Sequence, residues 1–294
     1  MSYPVTLGNR LLPDNKKEYY LEETHEFLVL TCDETVGYVS FRNDDGSWFH
    51  TAASIDVLGW VDLTTGRQNG ERTKMEWVLT DEERNTRSYS KRFGKLKIYR
   101  VKAHPHRPFS GEKAKYNDVP KYAEQIYVTE ILGELVPNAF LFGVLEEYKK
   151  PVTMHSDLLG DFVLDKRYGG SWECECDWLG RKIRFTFYDD AADEFAVIIK
   201  NAEQFWRDRE NWDKKMREYA ADELTYLAGD WGENSADGEI TEEEFARKIN
   251  LCSIHFMDGG SFQAWFDDGG FFGDHSITVW GNFEKGFKNA RLEG

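Results

Sequence analysis

Two stretches of the sequence place oxygen and nitrogen ligands at spacings that chemistry can use. The first is Glu233-Asn-Ser-Ala-Asp-Gly-Glu-Ile-Thr-Glu-Glu-Glu244. With Gly238 at the sixth position of a twelve-residue calcium loop, Glu233, Ser235 and Asp237 fall at positions one, three and five. Glu239 then takes position seven and Glu244 position twelve. A calcium ion takes roughly six to eight oxygens, and this spacing offers them. Two features count against it. Position one is Glu, where the shorter Asp fits the tight turn, and no partner loop accompanies it. Thr241 and Glu244 are also explained as a capping box that opens a helix. The expectation is an acidic turn leading into that helix, with no cofactor; Ca2+ is the one exception the loop would allow.

The second stretch is Asp267-Asp268-Gly-Gly-Phe-Phe-Gly-Asp274-His275. Carboxylates beside an imidazole can bind a metal or act as acid and base. Asp267, Asp268, Asp274 and His275 are therefore the catalytic candidates of a metal-dependent, hydrolase-like enzyme. The competing explanation is a hairpin loop whose Asp and Gly residues satisfy turn geometry, and it is preferred. His104-Pro-His106 offers two imidazoles without a third ligand, which suits a surface loop. His255 lies on a strand between Ile254 and Phe256 and faces away from them. Cys32, Cys174, Cys176 and Cys252 form no CxxC pair, so zinc is not expected. The GxSxG, GxxxxGK[ST], GxGxxG and HExxH signatures are all missing from the sequence. Binding without catalysis is the leading expectation.

The elements that must position these residues are clearest after Asp157. Trp172, Cys174, Cys176 and Trp178 alternate with Glu173, Glu175 and Asp177; Ile183, Phe185 and Phe187 alternate with Lys182, Arg184 and Thr186. A turn at Leu179-Gly180 brings Cys176 opposite Ile183, Cys174 opposite Phe185 and Trp172 opposite Phe187. The same register sets Asp177 against Lys182 and Glu175 against Arg184, so both faces agree. Phe195, Ile198, Ile199, Ala202, Phe205 and Trp206 recur at helical spacing. Trp212, Met216, Ala220, Leu224 and Leu227 follow as a second helical run, with Gly229 as its expected stop. Whether these make one helix or two is open. A short helix from Thr241 carries Phe245 and Ile249 inward. The strands LCSIHFM, SFQAWF and HSITVWGNF close the chain.

Residues 1–24 read as a polar arm and 25–150 as a β-rich small antiparallel barrel or sandwich, with short strands FLVLTC, GYVSFRN, SWFHTAASI and KLKIYRVKA. The charged stretch EEYKKPVTMHSD is the expected linker. Residues 157–294 form the second domain, an antiparallel sheet with packed helices. The fold class of the whole is α+β.

Charge is divided unequally. The formal net charge is −16, from 37 basic and 53 acidic residues. Residues 157–294 hold 16 Lys and Arg against 30 Asp and Glu, so −14, and residues 1–156 hold 21 against 23, so −2. A surface of that sign repels phosphate backbones, which argues against a nucleic-acid partner and for another protein, one with a basic surface. The first residues carry no apolar signal core, and no apolar run of 18 residues occurs. No membrane partner is expected, and the compartment is a reducing cytoplasm.

The second half also resembles a known family. The carriers are Leu159-Gly-Asp-Phe-Val-Leu-Asp165 with Trp172, Leu227 with Asp230-Trp231, and Ile240-Thr241 with Phe245. Leu251 with Ser253-Ile254, Phe271-Phe-Gly-Asp-His275-Ser-Ile-Thr-Val279 and the closing Leu-Glu-Gly294 complete the pattern. Together they resemble domain of unknown function 2262 (DUF2262), an uncharacterised bacterial family, over residues 157–294. The resemblance implies a bacterial α+β domain and carries no assigned catalytic residue. Small acidic α+β domains of this kind are similar to immunity proteins that neutralise bacterial toxins, and that similarity is at the level of the fold.

Overall fold

The computed structural model describes residues 12–34, 36–42, 48–134, 136–188, 195–230, 240–273 and 275–294. The chain divides into two compact units, Met1–Lys150 and Pro151–Gly294.

In the first unit the strands are β1 (His25–Thr31), β2 (Gly37–Arg42), β3 (Trp48–Asp62), β4 (Gln68–Asn69), β5 (Thr73–Val78), β6 (Ile98–Pro105) and β7 (Ile126–Glu134). Helices α1 (Asp81–Thr86), α2 (Pro120–Ala123) and α3 (Ala139–Lys149) punctuate them. β3 is long enough to serve both ends of a closed sheet. Its residues 52–57 pair with β5 and residues 57–62 pair with β1. The ring then runs β1-β6-β7-β5-β3 and returns to β1. Register shifts in the β1–β3 and β6–β7 pairs bend the strands enough to close it. Every pair in the ring is antiparallel except β5 with β7, so the expected antiparallel barrel has one parallel seam. Five strands in this order, with that seam, make the OB-fold.

Phe27, Val29, Ala53, Ile55, Met75, Trp77, Tyr99 and Val101 fill the interior. The alternate positions of β1, Leu28 and Leu30, pack outside against Leu141 and Leu145 of α3. That covering helix explains why FLVLTC reads as an unbroken apolar run rather than an alternating one. α3 is capped by Asn138, whose side chain accepts from the Leu141 amide at 3.0 Å. The boundary between the units falls inside the expected linker, at Lys150 and Pro151, but the linker is shorter than expected: Glu146–Lys149 belongs to α3, and residues 153–156 belong to a strand.

The second unit is one eight-stranded sheet. Its strands are β8 (Thr153–Ser156), β9 (Gly160–Asp165), β10 (Ser171–Trp178), β11 (Arg181–Tyr188), β12 (Asn250–Phe256), β13 (Ser261–Asp267), β14 (Ser276–Asn282) and β15 (Gly286–Glu293). They are neighbours in sequence order throughout. Among the described strand pairs of this sheet only β11 and β12 run parallel, and the long return this requires includes α4 (Phe195–Arg207), α5 (Arg209–Asp230) and α6 (Glu242–Lys248).

The β10–β11 hairpin has the expected register at every pair. Leu179 and Gly180 both take positive φ, 53° and 84°, as a two-residue hairpin turn of the right twist requires. The cross-strand charges pair diagonally, not directly: Lys182 reaches Glu175 at 3.9 Å and Arg184 reaches Glu173 at 3.4 Å. Strand twist carries the long basic side chains toward the diagonal neighbour.

The two helical runs are separate helices, broken at Asp208. Arg209 holds the corner: its guanidinium lies 4.2 Å from the Trp206 ring centre and donates to the Trp206 carbonyl at 3.1 Å. α5 runs through Gly229 to Asp230, so Gly229 does not end it. Ile198, Ala202 and Phe205 of α4, Met216 and Ala220 of α5, and Phe245 of α6 pack on Trp172, Cys174, Cys176, Phe185 and Phe187 of the sheet. No helix among the described residues is long and apolar enough to cross a membrane.

Candidate functional site

The helices cover one face of the eight-stranded sheet, and strand period two sends the alternate side chains to the other. Two rungs cross five strands there in unbroken register. One is Arg184, Ser253, Trp265, Thr278 and Arg291; the other is Thr186, His255, Gln263, Trp280 and Asn289. Thr186 Oγ1 meets His255 Nδ1 at 2.9 Å, and the Tyr188 ring packs on His255 at 4.4 Å. The Arg291 guanidinium lies 5.5 Å from the centre of the Trp280 ring. Trp265 and Trp280 are partly exposed, and the Arg184 and Arg291 side chains are more than half exposed. Trp280 Nε1 and Asn289 Oδ1, on paired residues, are buried without a hydrogen-bond partner. Glu173, Glu175 and Asp177 of β10 and Asp161 of β9 extend this face into an acidic margin. The arrangement joins indole, phenol and guanidinium groups on a rigid platform, which is the chemistry of a protein interface core.

A cleft of about 280 Å3 opens between the β10–β11 hairpin, α5 and α6, lined by Trp178, Leu179, Arg181, Asp213, Arg217, Ala246, Arg247 and Leu251. Most of its polar groups hold the fold together. Asp213 accepts from Trp178 Nε1 at 2.9 Å and from Arg217 Nε at 2.6 Å. Arg217 also donates to the carbonyls of Ala246 and Ile249, the open end of α6. Arg181 donates to Asn250 Oδ1.

The acidic loop after β13 is held together by its own carboxylates. Asp267 accepts from the Gly269 amide at 3.0 Å. Asp268 is buried and accepts from the Gly270 amide at 2.9 Å and from the Phe272 amide. His275 Nδ1 donates to the Phe272 carbonyl at 2.9 Å. Phe271 stacks on Phe245 of α6, ring centres 4.9 Å apart, and pins the loop to the core. Asp274 lies outside the described residues. The geometry fits turn-making Asp and Gly; both described aspartates point at loop amides.

Of the calcium-loop candidates, Glu233, Ser235, Asp237 and Glu239 lie outside the described residues. Glu244 is on α6, where its carboxylate pairs with Lys248 at 3.0 Å. Its amide donates to Thr241 Oγ1 at 3.2 Å, so Thr241 caps the helix as expected while the Glu244 carboxylate turns along the helix. Among the described residues no group of three or more His, Cys, Asp or Glu is placed to hold a metal ion. His104 is buried, its Nδ1 between the carbonyls of Leu21 and Glu23 at 2.8 and 3.1 Å. His106 packs among aromatic rings instead. Cys174 and Cys176 lie side by side in the core, Sγ to Sγ 3.8 Å.

The outer-face rungs were not singled out from the sequence. Their signal is there: in SFQAWF and HSITVW a tryptophan occupies the phase opposite the core residues, where a solvent-facing strand ordinarily carries a small or polar residue.

Residues 156–292 match the model of the family described as "Uncharacterized protein conserved in bacteria (DUF2262)". Residues 15–148 match a second family, "Domain of unknown function (DUF7021)". The resemblance drawn for the second half therefore holds, and the barrel region matches a family model of its own. No curated protein matches the chain. Among solved structures, a deletion mutant of the single-stranded DNA binding protein from Thermus aquaticus aligns at 8% identity over 58% of this chain and 78% of that one, with a TM-score of 0.19. An alignment that loose supports no statement about this chain.

Proposed function

We propose that the C-terminal unit is a non-catalytic binding module that takes another protein on the outer face of its sheet. The observation that carries this reading is the placement of Trp265 and Trp280 on neighbouring strands, on the face opposite the core on which α4, α5 and α6 pack. Trp, Tyr and Arg are the residue types that dominate interface energies; Arg291 lies over the Trp280 ring, and Arg184 and Tyr188 stand on the same face at β11. The excess of acidic residues in 157–294 favours a basic partner, because opposite charge speeds encounter and discriminates between surfaces. Inhibition of a basic toxin nuclease in a bacterial cytoplasm is the most concrete form of this function.

The test is affinity capture from the native bacterial host, followed by identification and titration of the retained protein. Trp265→Ala and Trp280→Ala are each expected to weaken that complex by about 30-fold, the equivalent of ~2 kcal/mol. Raising the salt should slow its association. A captured protein that binds both variants as tightly as the parent chain rules the outer face out.

A further inference from the structure

We propose that the loop joining β6 to β7, residues 106–125, is a binding site for single-stranded nucleic acid. The loop carries a continuous row of rings. His106 and Phe109 are 4.6 Å apart by ring centre, Phe109 and Tyr116 6.1 Å, and Tyr116 and Tyr122 5.4 Å. The inner end is anchored, since His106 packs edge-on against the buried Tyr20 at 5.3 Å. The outer end is open: Tyr116 is 38% exposed and Tyr122 42%.

The loop is preformed. The Asn117 side chain bridges it, accepting from the Phe109 amide at 2.7 Å and donating to the Phe109 carbonyl at 3.1 Å. Arg107 ties it to the Tyr20 carbonyl at 2.8 Å, and Trp60 Nε1 on β3 donates to the Glu124 carbonyl at 2.9 Å. Rings held in this way lose little freedom when a base stacks on them.

The cations supply the second half of the argument. Lys113, Lys115 and Lys121 are exposed, and among the described residues none of the three forms an ion pair. Lys113 lies over the Tyr19 ring at 5.3 Å and Lys115 over the Tyr116 ring at 5.1 Å. In a chain with 53 acidic residues, three lysines without a carboxylate beside an aromatic row are suited to phosphates. Counted by sequence, residues 84–121 contain 12 Lys and Arg against 2 Asp and Glu, so +10, but Arg84, Arg92, Lys97 and Arg100 pair with carboxylates outside that window; the loop itself, residues 106–125, holds 4 against 3, so +1. The whole-chain charge that argues against nucleic acid thus arises elsewhere. At about 0.1 M salt a repulsive field is screened beyond roughly 10 Å, so contacts made within the loop decide binding.

Exposed rings with intervening lysines fit unpaired bases on a phosphate chain. A duplex hides its base faces, and a neutral sugar chain would use the rings but not the lysines. The fold alone does not choose among these ligands.

The experiment is fluorescence anisotropy of the full chain with a labelled oligothymidylate of roughly 20 nucleotides, longer than one such site spans, at about 0.1 M salt. Saturable binding is expected, with affinity falling as salt rises and a log–log slope of about −2 for three phosphate contacts. Tyr116→Ala and Tyr122→Ala should each lower affinity about tenfold or more, whereas Tyr122→Phe should not. Each of Lys113→Gln, Lys115→Gln and Lys121→Gln should flatten the salt slope by about 0.7. Lys149→Gln on α3 should change nothing, and thermal unfolding of each variant confirms that it folds. The proposal is overturned if no binding occurs at these conditions, if duplex or neutral dextran competes as well as oligothymidylate, or if both tyrosine variants bind like the parent.

Discussion

Asp213→Ala tests whether the polar cluster at the hairpin cleft is structural. Asp213 is 8% exposed and Trp178 2% exposed. Removing the carboxylate leaves the largely buried Trp178 N–H without its acceptor, which costs about 1–3 kcal/mol. It also leaves the Arg217 guanidinium, whose side chain is 18% exposed, without its counter-charge. Breaking a fully buried pair costs about 3–5 kcal/mol. Here the figure falls to about half, because two carbonyls still accept from Arg217 and part of the side chain reaches water. A total near 3–5 kcal/mol is expected for the C-terminal unit. Asp213→Asn keeps an acceptor for Trp178 and loses only the charge, so it should cost about 1–2 kcal/mol. The measurement is urea unfolding followed by tryptophan fluorescence and far-ultraviolet circular dichroism, read at the transition of the C-terminal unit. If Asp213→Ala costs less than about 1 kcal/mol, or if Asn is as damaging as Ala, the cluster does not hold the hairpin to α5 and the reasoning fails.

Leu179 occupies the left-handed region at φ 53° in the β10–β11 turn, so Leu179→Asn should stabilise the unit by about 0.5–1 kcal/mol in the same urea assay; a loss would mean that its apolar contact outweighs the backbone. Cys252 is exposed while Cys32, Cys174 and Cys176 are buried. An aromatic disulfide reagent should therefore titrate one thiol in the native protein and four in urea, and fast release of more than one would contradict the packing. Asp62 of the barrel is buried, which by itself raises its carboxyl, but hydrogen bonds from the Thr65 and His25 side chains and the Thr64 and Thr65 amides hold it below its ordinary value. A depressed carboxyl contributes fully above its unfolded value near ~3.9 and loses that contribution as pH falls through the folded value. The stability gap between the parent and Asp62→Asn should thus narrow as pH drops below about 4; a gap unchanged at lower pH would remove Asp62 from the acid response. Gly281 lies under the Phe262 ring with no room for a Cβ, so Gly281→Ala should cost about 1–3 kcal/mol of overpacking, and a neutral outcome by urea unfolding would show that the ring yields.

The hairpin was legible because two independent patterns, apolar on one face and charged on the other, agreed in a single register. The helices of the second unit were legible for the same kind of reason: Ile198, Ala202 and Phe205 repeat at helical period and meet a sheet. The first unit was legible as a β-rich small antiparallel barrel or sandwich, but its closure was not. Its closure depends on β3 pairing with β1 at one end and β5 at the other, and on the seam between Met75 and Ile126, 51 residues apart in sequence. No local pattern encodes a parallel pair at that separation. The Thr80–Glu83 capping box, with bonds of 3.2 and 2.9 Å, was hidden inside a polar run. The outer face was missed because a half-covered sheet is expected to show its polar phase to solvent, and Trp265 and Trp280 break that expectation without altering the core pattern.

Charge shows why sums over a chain mislead about sites. A net −16 describes the long-range field, which sets solubility and steers encounter. Binding is decided within a few ångströms, where the relevant question is whether each charge already has a partner. Arg92 with Glu83, Lys97 with Glu134 and Arg100 with Glu26 are matched within the first unit, and each already has its counter-charge. Lys113, Lys115 and Lys121 stand apart from such pairs and beside open rings. The acidic C-terminal unit presents the complementary case. Its carboxylates at Asp267 and Asp268 close a turn and Glu244 pairs along its helix, so the acidic groups left to the proposed recognition face are those of its margin, Asp161, Glu173, Glu175 and Asp177. The two proposed sites are therefore compatible on a single chain: a partner steered by the field of one unit and a ligand held by the unpaired cations of the other would obey different ranges of the same electrostatics.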